Sequence, residues 1–314
     1  MPAQDLLDLH DLLDATLELP PEYREGLSNH LPMALQALHA MGAIPARLQA
    51  FRAHYLRHFD GPAPAVAPAY AALFERYQQA LAQEGQAATL RRLLPELLPG
   101  MAAAAFHGLI RSAHALEAGH RRELAAGLAY WAWRSQPLAA PPPAPVMLRF
   151  DDWAEQLRQQ AGEWRSSAPL ISLRMDDATR APAYLALASA LQPTPDLLRR
   201  LAGLALQTYL ASRNFTVLHM ITGLRALRVL LPHAGRQPDL QPLLLRVFTA
   251  AYLAANIKPS APPPLQARTH WEALRAAACQ ADDDHLIKLV HACSAEAEAY
   301  ADPRYLDAAA LALS

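Results

Sequence analysis

Asp282-Asp283-Asp284-His285-Leu286-Ile287-Lys288-Leu289-Val290-His291-Ala292-Cys293 reads as the start of a helix. An acidic run supplies the cap, and apolar residues follow at helical spacing. Leu286, Leu289, Val290 and Cys293 make the apolar stripe, and His285 and Lys288, three apart, share a face beside it. The lysine is unusual. The chain has 28 lysines and arginines, and only Lys258 and Lys288 are lysines. Two readings stand open. A chain this biased toward arginine keeps an amine where the group must lose its proton on burial, which a guanidinium does not do. Alternatively, Lys288 snorkels from the margin of an amphipathic helix, the more ordinary case.

The same period runs outward through the chain. Ala and Leu dominate, Val, Ile and Thr are sparse, and no Asn-Gly hairpin turn occurs. Helices are expected at 5–18, from the Ser28-Asn29 cap to Gly42, from Pro45 to Phe59 and from Pro68 to Gln83. Pro-rich turns lie at Gly61-Pro62-Ala63-Pro64 and from Lys258 to Pro264. A helical region over 87–118 should break near Pro95 and Pro99-Gly100. Met101-Ala102-Ala103-Ala104-Ala105-Phe106-His107-Gly108-Leu109-Ile110-Arg111-Ser112-Ala113-His114, apolar almost all round, reads as one buried helix. Further helices should open at Asp151-Asp152, at Asp176-Asp177 or Pro182, at Pro195 and at the Asn214 cap. The last should fill 239–256, 265–280, 283–299 and 303–313. Pro141-Pro142-Pro143-Ala144-Pro145 is an extended connector between similar helices, so it reads as a surface loop. The expectation is an all-α fold, one large domain over 1–314 with about a dozen helices and a metal site in the helical core.

Composition narrows the function. The chain is 53% hydrophobic and 18% charged, with net charge -1. That favours a large ordered core and argues against a dedicated nucleic-acid or anionic-membrane binder. The N-terminus is acidic and lacks the positive region of a signal peptide, and no apolar run of spanning length is free of charge, His or Pro. Cys279 and Cys293 form no CxxC pair and are expected as reduced, buried thiols in a cytoplasmic protein.

Thirteen histidines remain. His10, His39, His54, His58, His120, His233 and His270 lie among charged or loop residues and are expected in solvent. His30, His107, His219 and His285 each stand alone on an apolar helix. Singly, each is an ordinary core histidine; four neutral imidazoles converging in a helical core would hold a divalent transition metal. Spacing alone does not establish convergence, since there is no H-E-x-x-H pair. His114 and His291 are candidates for groups behind the ligands.

Asn29-His30-Leu31-Pro32-Met33, Phe106-His107-Gly108-Leu109-Ile110-Arg111, Phe215-Thr216-Val217-Leu218-His219-Met220-Ile221-Thr222-Gly223 and Asp284-His285-Leu286-Ile287-Lys288 resemble the hallmark segments of the questin oxidase-like family, from about residue 25 to 300. Each motif is weak alone; the four in this order are fairly specific. The resemblance implies ring-cleaving oxygenase chemistry on an anthraquinone-like aromatic with dioxygen, and NADPH at most as a transient reductant. For at least one branch it implies a mononuclear non-heme iron, Fe(II), held by four histidines and a carboxylated lysine. Carried over by position, these are His30, His107, His219, His285 and Lys288. Arg111 and Met33 stand where fungal members often have histidine, and the chain is shorter, which puts the substrate in doubt more than the metal. Leu31, Met33, Phe106, Ile110, Phe215 and Met220 are candidate cavity walls, and Arg111, one turn beyond His107, is the expected catalytic group for a phenolate or carboxylate oxygen. No G-x-G-x-x-G follows a strand, so no bound nicotinamide or flavin fold is visible. The rivals are a non-catalytic helical scaffold, with scattered histidines, and a zinc or manganese hydrolase on the same ligands.

Overall fold

The computed structural model describes residues 3–59, 66–235, 239–257 and 269–314. Among these residues the chain forms sixteen α-helices and one two-stranded ribbon. The first helices are α1 (Ala3–Thr16), α2 (Leu31–Ala40), α3 (Pro45–Leu56), α4 (Pro68–Gln83) and α5 (Gln86–Leu97); the ribbon, β1 (Glu22–Tyr23) with β2 (Leu27–Ser28), leads into α2. Then come α6 (His107–Glu117), α7 (Arg121–Trp133), α8 (Phe150–Ala161), α9 (Ile171–Ala178), α10 (Pro182–Leu187), α11 (Leu197–Ser212) and α12 (Phe215–Leu230). The last are α13 (Gln241–Ala254), α14 (Trp271–Gln280), α15 (Asp284–Tyr300) and α16 (Arg304–Leu313). The all-α, single-domain expectation holds. The main apolar cluster takes in Trp131 and Leu138 before the proline connector and Trp153 after it.

Helix starts follow their caps where the cap is an acceptor side chain. Asn214 Oδ1 accepts the N–H groups of Thr216 and Val217 at 2.9 and 3.2 Å. Asp283 Oδ1 accepts those of His285 and Leu286 at 2.8 and 3.1 Å. Each satisfies donors the helix itself leaves open. Asn29 does the same for Leu31 at 3.1 Å.

One expectation fails. Met101–His114 is not one helix: α6 begins only at His107, after Ala104, Ala105 and Phe106 in left-handed conformation at φ 46°, 56° and 72°. Such residues cost about 1–2 kcal/mol each without glycine. Packing holds the turn: Phe106 lies against α12, where a Cβ on Gly223 would come 3.0 Å from its ring. Of the two expected openings, Pro182 is the one: it opens α10, while Asp176-Asp177 sits at the C-terminal end of α9. The expected turns at Gly61–Pro64 and Lys258–Pro264 lie outside the described residues.

Four helices place the site. α2 packs on α6, α6 on α12, α12 on α15, and α15 back on α2, closing a ring. α6 also lies tight against α7, because a Cβ on Gly108 would stand 2.5 Å from Trp131 Cα. Phe215–His233 is long and apolar enough by length and composition to cross a membrane, yet 67% of that window is buried inside the fold, as befits a central core helix.

Candidate metal centre

Each helix of the ring brings one histidine near its N-terminus. His30 immediately precedes α2, His107 opens α6, His219 is in the second turn of α12, and His285 is the second residue of α15. The four rings form a closed chain of neighbours. Centroids are 4.4 Å apart for His30–His107, 5.0 Å for His107–His219, 5.2 Å for His219–His285 and 4.6 Å for His285–His30. Ligand atoms of His30, His107 and His285 all lie within 4.8 Å of one another; His219 stands outside that trio.

Every ring is oriented through Nδ1. His30 Nδ1 is 2.7 Å and His285 Nδ1 2.9 Å from Asp284 Oδ1. His107 Nδ1 is 2.5 Å from Ala104 O, and His219 Nδ1 is 2.8 Å from Phe215 O. With acceptors on Nδ1, the proton belongs there and Nε2 carries the lone pair, the arrangement that prepares an imidazole for a metal. Nε2 of His30 and of His107 is buried without a hydrogen-bond partner. Two orphaned acceptors side by side in a core are costly unless something fills them.

Electrostatics keep the rings of His30, His107 and His219 neutral. Burial, reinforced by Lys288, pulls His30 down to about 3, against the opposing pull of Asp284. Burial and the neighbouring histidines lower His107 and His219 well below the ordinary imidazole value. Burial alone would raise the Asp284 carboxyl, but His30 and Lys288 beside it hold it well below its usual range. The four converging helix N-termini add positive potential, which also favours an anion there.

Lys288 is buried, 3% exposed, with Nζ 3.4 Å from Asp284 Oδ1. Burial lowers its pKa, and Asp284 opposes that shift. It therefore sits behind the histidines rather than in water. It is not on the wall of the adjoining cavity.

That cavity, about 690 Å³, is bounded by all four histidines, the β1–β2 ribbon, the turn before α6 and the segment entering α9. Of the expected walls, only Phe215 lines it. Its ring, 53% exposed, lies 4.7 Å from both the His219 and His285 rings. Leu31, Met33 and Ile110 are core residues, and Phe106 and Met220 line a separate small apolar void with Gly223. A second cleft, about 740 Å³, lies between α8, α11 and α16, away from the histidines.

Arg111 is not on the cavity wall. Its Nε and Nη2 donate to the two oxygens of Glu123 at 2.5 and 2.9 Å, with both side chains buried. The face of α6 that carries it meets α7, so its charge is already neutralised and the expected substrate contact is corrected to a core ion pair. His39 and His120, expected in solvent, are buried. His120 caps α7, its Nδ1 accepting the Glu123 N–H at 3.1 Å. His114 and His291 do not touch the four histidines' Nδ1 groups. They pair with each other elsewhere in the core, ring centroids 5.4 Å apart, with His114 Nδ1 2.5 Å from Gln36 Oε1. Both cysteines are free and buried.

Sequence reading missed Asp284, absorbed into the capping run Asp282-Asp283-Asp284. Its spacing of four from Lys288 was the available signal. It missed Arg174 altogether.

The convergence counts against a scaffold with scattered histidines. No curated protein matches the chain. The sequence profile of the family described as Questin oxidase-like matches residues 27–293, a span that contains all four histidines, Asp284 and Lys288. The family's name marks an oxidase-type enzyme acting on a small molecule, and a match over most of the length places this chain: it belongs to the questin oxidase-like family.

Proposed function

We propose that the chain is a non-heme iron oxygenase acting on an aromatic or quinone-like small molecule. His30, His107, His219 and His285 would hold the ion through Nε2, and Lys288 would add an oxygen anion once carboxylated. The observation that carries this reading is the pair of buried, unpartnered Nε2 atoms on His30 and His107 inside a ring of four histidines. Neutral imidazoles with one oxygen anion suit divalent iron. When bound, the ion supplies the one-electron redox chemistry that dioxygen requires.

The residues do the rest. Asp284 keeps the protons of His30 and His285 on Nδ1. Ala104 O and Phe215 O do so for His107 and His219. Burial favours the neutral Lys288 amine, which adds to carbon dioxide: the N–C bond forms, one C=O pair moves onto oxygen, and the nitrogen releases a proton. The product is an anion near the Asp284 carboxylate, so a bound cation would offset the repulsion between the two. Carboxylation and ion binding thus favour each other. Phe215 offers a flat apolar face on which an aromatic substrate stacks.

The test is elemental analysis of protein purified without added metal or chelator. Iron bound in proportion to protein is expected. Zinc or manganese in its place would favour the hydrolase reading, and protein free of all transition metals would overturn the proposal.

A further inference from the structure

We infer that Arg174 is the anion anchor of the 690 Å³ cavity, and that its ligand is an apolar ring system bearing a carboxylate or phenolate oxygen. Arg174, on α9, lines the cavity beside Leu170 and Leu173, with Phe215 also on its wall. Its guanidinium is held in place by neutral acceptors. Nε donates to Ala254 O at 3.0 Å, Nη1 to Ala168 O at 3.3 Å and Nη2 to Thr216 Oγ1 at 3.2 Å. A guanidinium has five N–H donors in a rigid fork. These bonds leave one N–H on each terminal nitrogen free to donate to an anion.

Among the described residues no carboxylate pairs with Arg174. The other arginine on the wall differs: Arg134 donates Nε to Glu22 Oε1 at 2.7 Å and Nη2 to Glu22 Oε2, so its charge is neutralised. Glu25, exposed on the rim, makes no hydrogen bond or ion pair with Arg174. Burial lowers the Arg174 pKa with no acid to offset it. A half-buried cation, fixed in geometry and lacking a counter-ion, is a cost the fold bears alone unless a ligand brings the anion. The exposed side chains of Leu173 and Phe215 supply the apolar part of the same site.

The inference takes the cavity as the substrate pocket of the proposed oxygenase but does not need the ion, so it is tested with the ion removed. Calorimetry on chelator-treated protein should show 2-naphthoate binding at least about tenfold tighter than the neutral 2-naphthamide, as a charge-assisted hydrogen bond implies. Removing the ion prevents the carboxylate from ligating it and imitating the effect. Arg174→Gln should bring the ratio close to unity while 2-naphthamide still binds, which reports an intact cavity. A parallel loss with 2,4-dinitro-1-naphtholate, ionised at neutral pH, extends the anchor to phenolates; a loss confined to 2-naphthoate assigns it to carboxylates. If Arg174→Gln binds neither naphthalene, Arg174→Lys decides: retained preference for the anion supports the anchor, and lost preference overturns it. Equal affinities in the wild type, no binding of either probe, or an unchanged ratio in Arg174→Gln would also overturn it. Absence of iron in the purified protein would sink the oxygenase reading and leave this result standing.

Discussion

Asp284 Oδ1 lies 2.7 Å from His30 Nδ1, a residue 254 positions earlier in the chain. The same oxygen is 2.9 Å from His285 Nδ1 and 3.4 Å from Lys288 Nζ. One carboxylate oxygen thus orients two candidate ligands on different helices and balances the buried amine. α2 and α15 are locked in register at the point where the site is built.

Asp284→Asn should therefore weaken metal binding without unfolding α15, whose cap is Asp283. The amide keeps the size and one acceptor oxygen but loses the charge that strengthens both imidazole contacts and balances Lys288. Loss of such a supporting group typically costs about 10–100-fold in metal affinity. Competition against a graded chelator series measures it, with circular dichroism to check the helix. Affinity equal to wild type would remove Asp284 from the site.

Lys288 is tested by its dependence on carbon dioxide. Metal uptake by wild-type protein should fall in buffer stripped of carbon dioxide and recover on adding bicarbonate. Lys288→Arg, which keeps a positive charge but cannot carboxylate, should bind metal poorly in both buffers. Uptake that ignores bicarbonate in the wild type, or full metallation of Lys288→Arg, would count against an oxygen ligand at this position.

The helical fold was legible because apolar spacing and acceptor caps such as Asn214 and Asp283 are local signals. The four histidines were legible because an imidazole alone on an apolar helix demands a partner. What the sequence hid was set by tertiary contact. The run Ala102-Ala103-Ala104-Ala105 favours helix by composition. Yet Ala104 and Ala105 are left-handed, because the turn that sets Phe106 against Gly223 also brings His107 to the ring. Spacing puts Arg111 on the face of His107, but not which neighbour that face meets; Glu123 on α7 answers that. Arg174 carried no local signal, since only the fold leaves it without an acid.

Acid should destabilise the metal-free protein through its buried neutral imidazoles, His114 and His291 among them. Burial, followed by the charge of Arg225, holds both well below the ordinary imidazole value; His114 also faces Lys288, and His291 faces Arg275. Unfolded imidazoles titrate near about 6.5. Below that pH the unfolded chain takes up protons that the native state refuses. Stability is therefore full above about 6.5 and falls as pH drops, by up to about 1.4 kcal/mol per pH unit for each group. Urea unfolding of chelator-treated protein from pH 8 to 5 measures this. His291→Leu should lower the acid-side slope by about one proton; an unchanged slope would mean that His291 is protonated in the folded core.

The Arg111–Glu123 pair separates a structural role from a catalytic one. The side chains are 3% and 2% exposed, and the contact is bidentate. Removing one partner leaves a buried charge with no counter-ion. Arg111→Met alone should thus destabilise the protein by about 3–5 kcal/mol, as should Glu123→Leu alone. Together they remove both charges, and apolar replacements of similar size in such a site often restore stability. The double variant should recover most of the loss, read as a coupling energy in a double-mutant cycle of urea unfolding. It should also keep its metal content and its affinity for 2-naphthoate, because Arg111 is not on the cavity wall. Additive single effects would show that the two charges do not compensate each other. A stable double variant that no longer binds 2-naphthoate would return Arg111 to the substrate site.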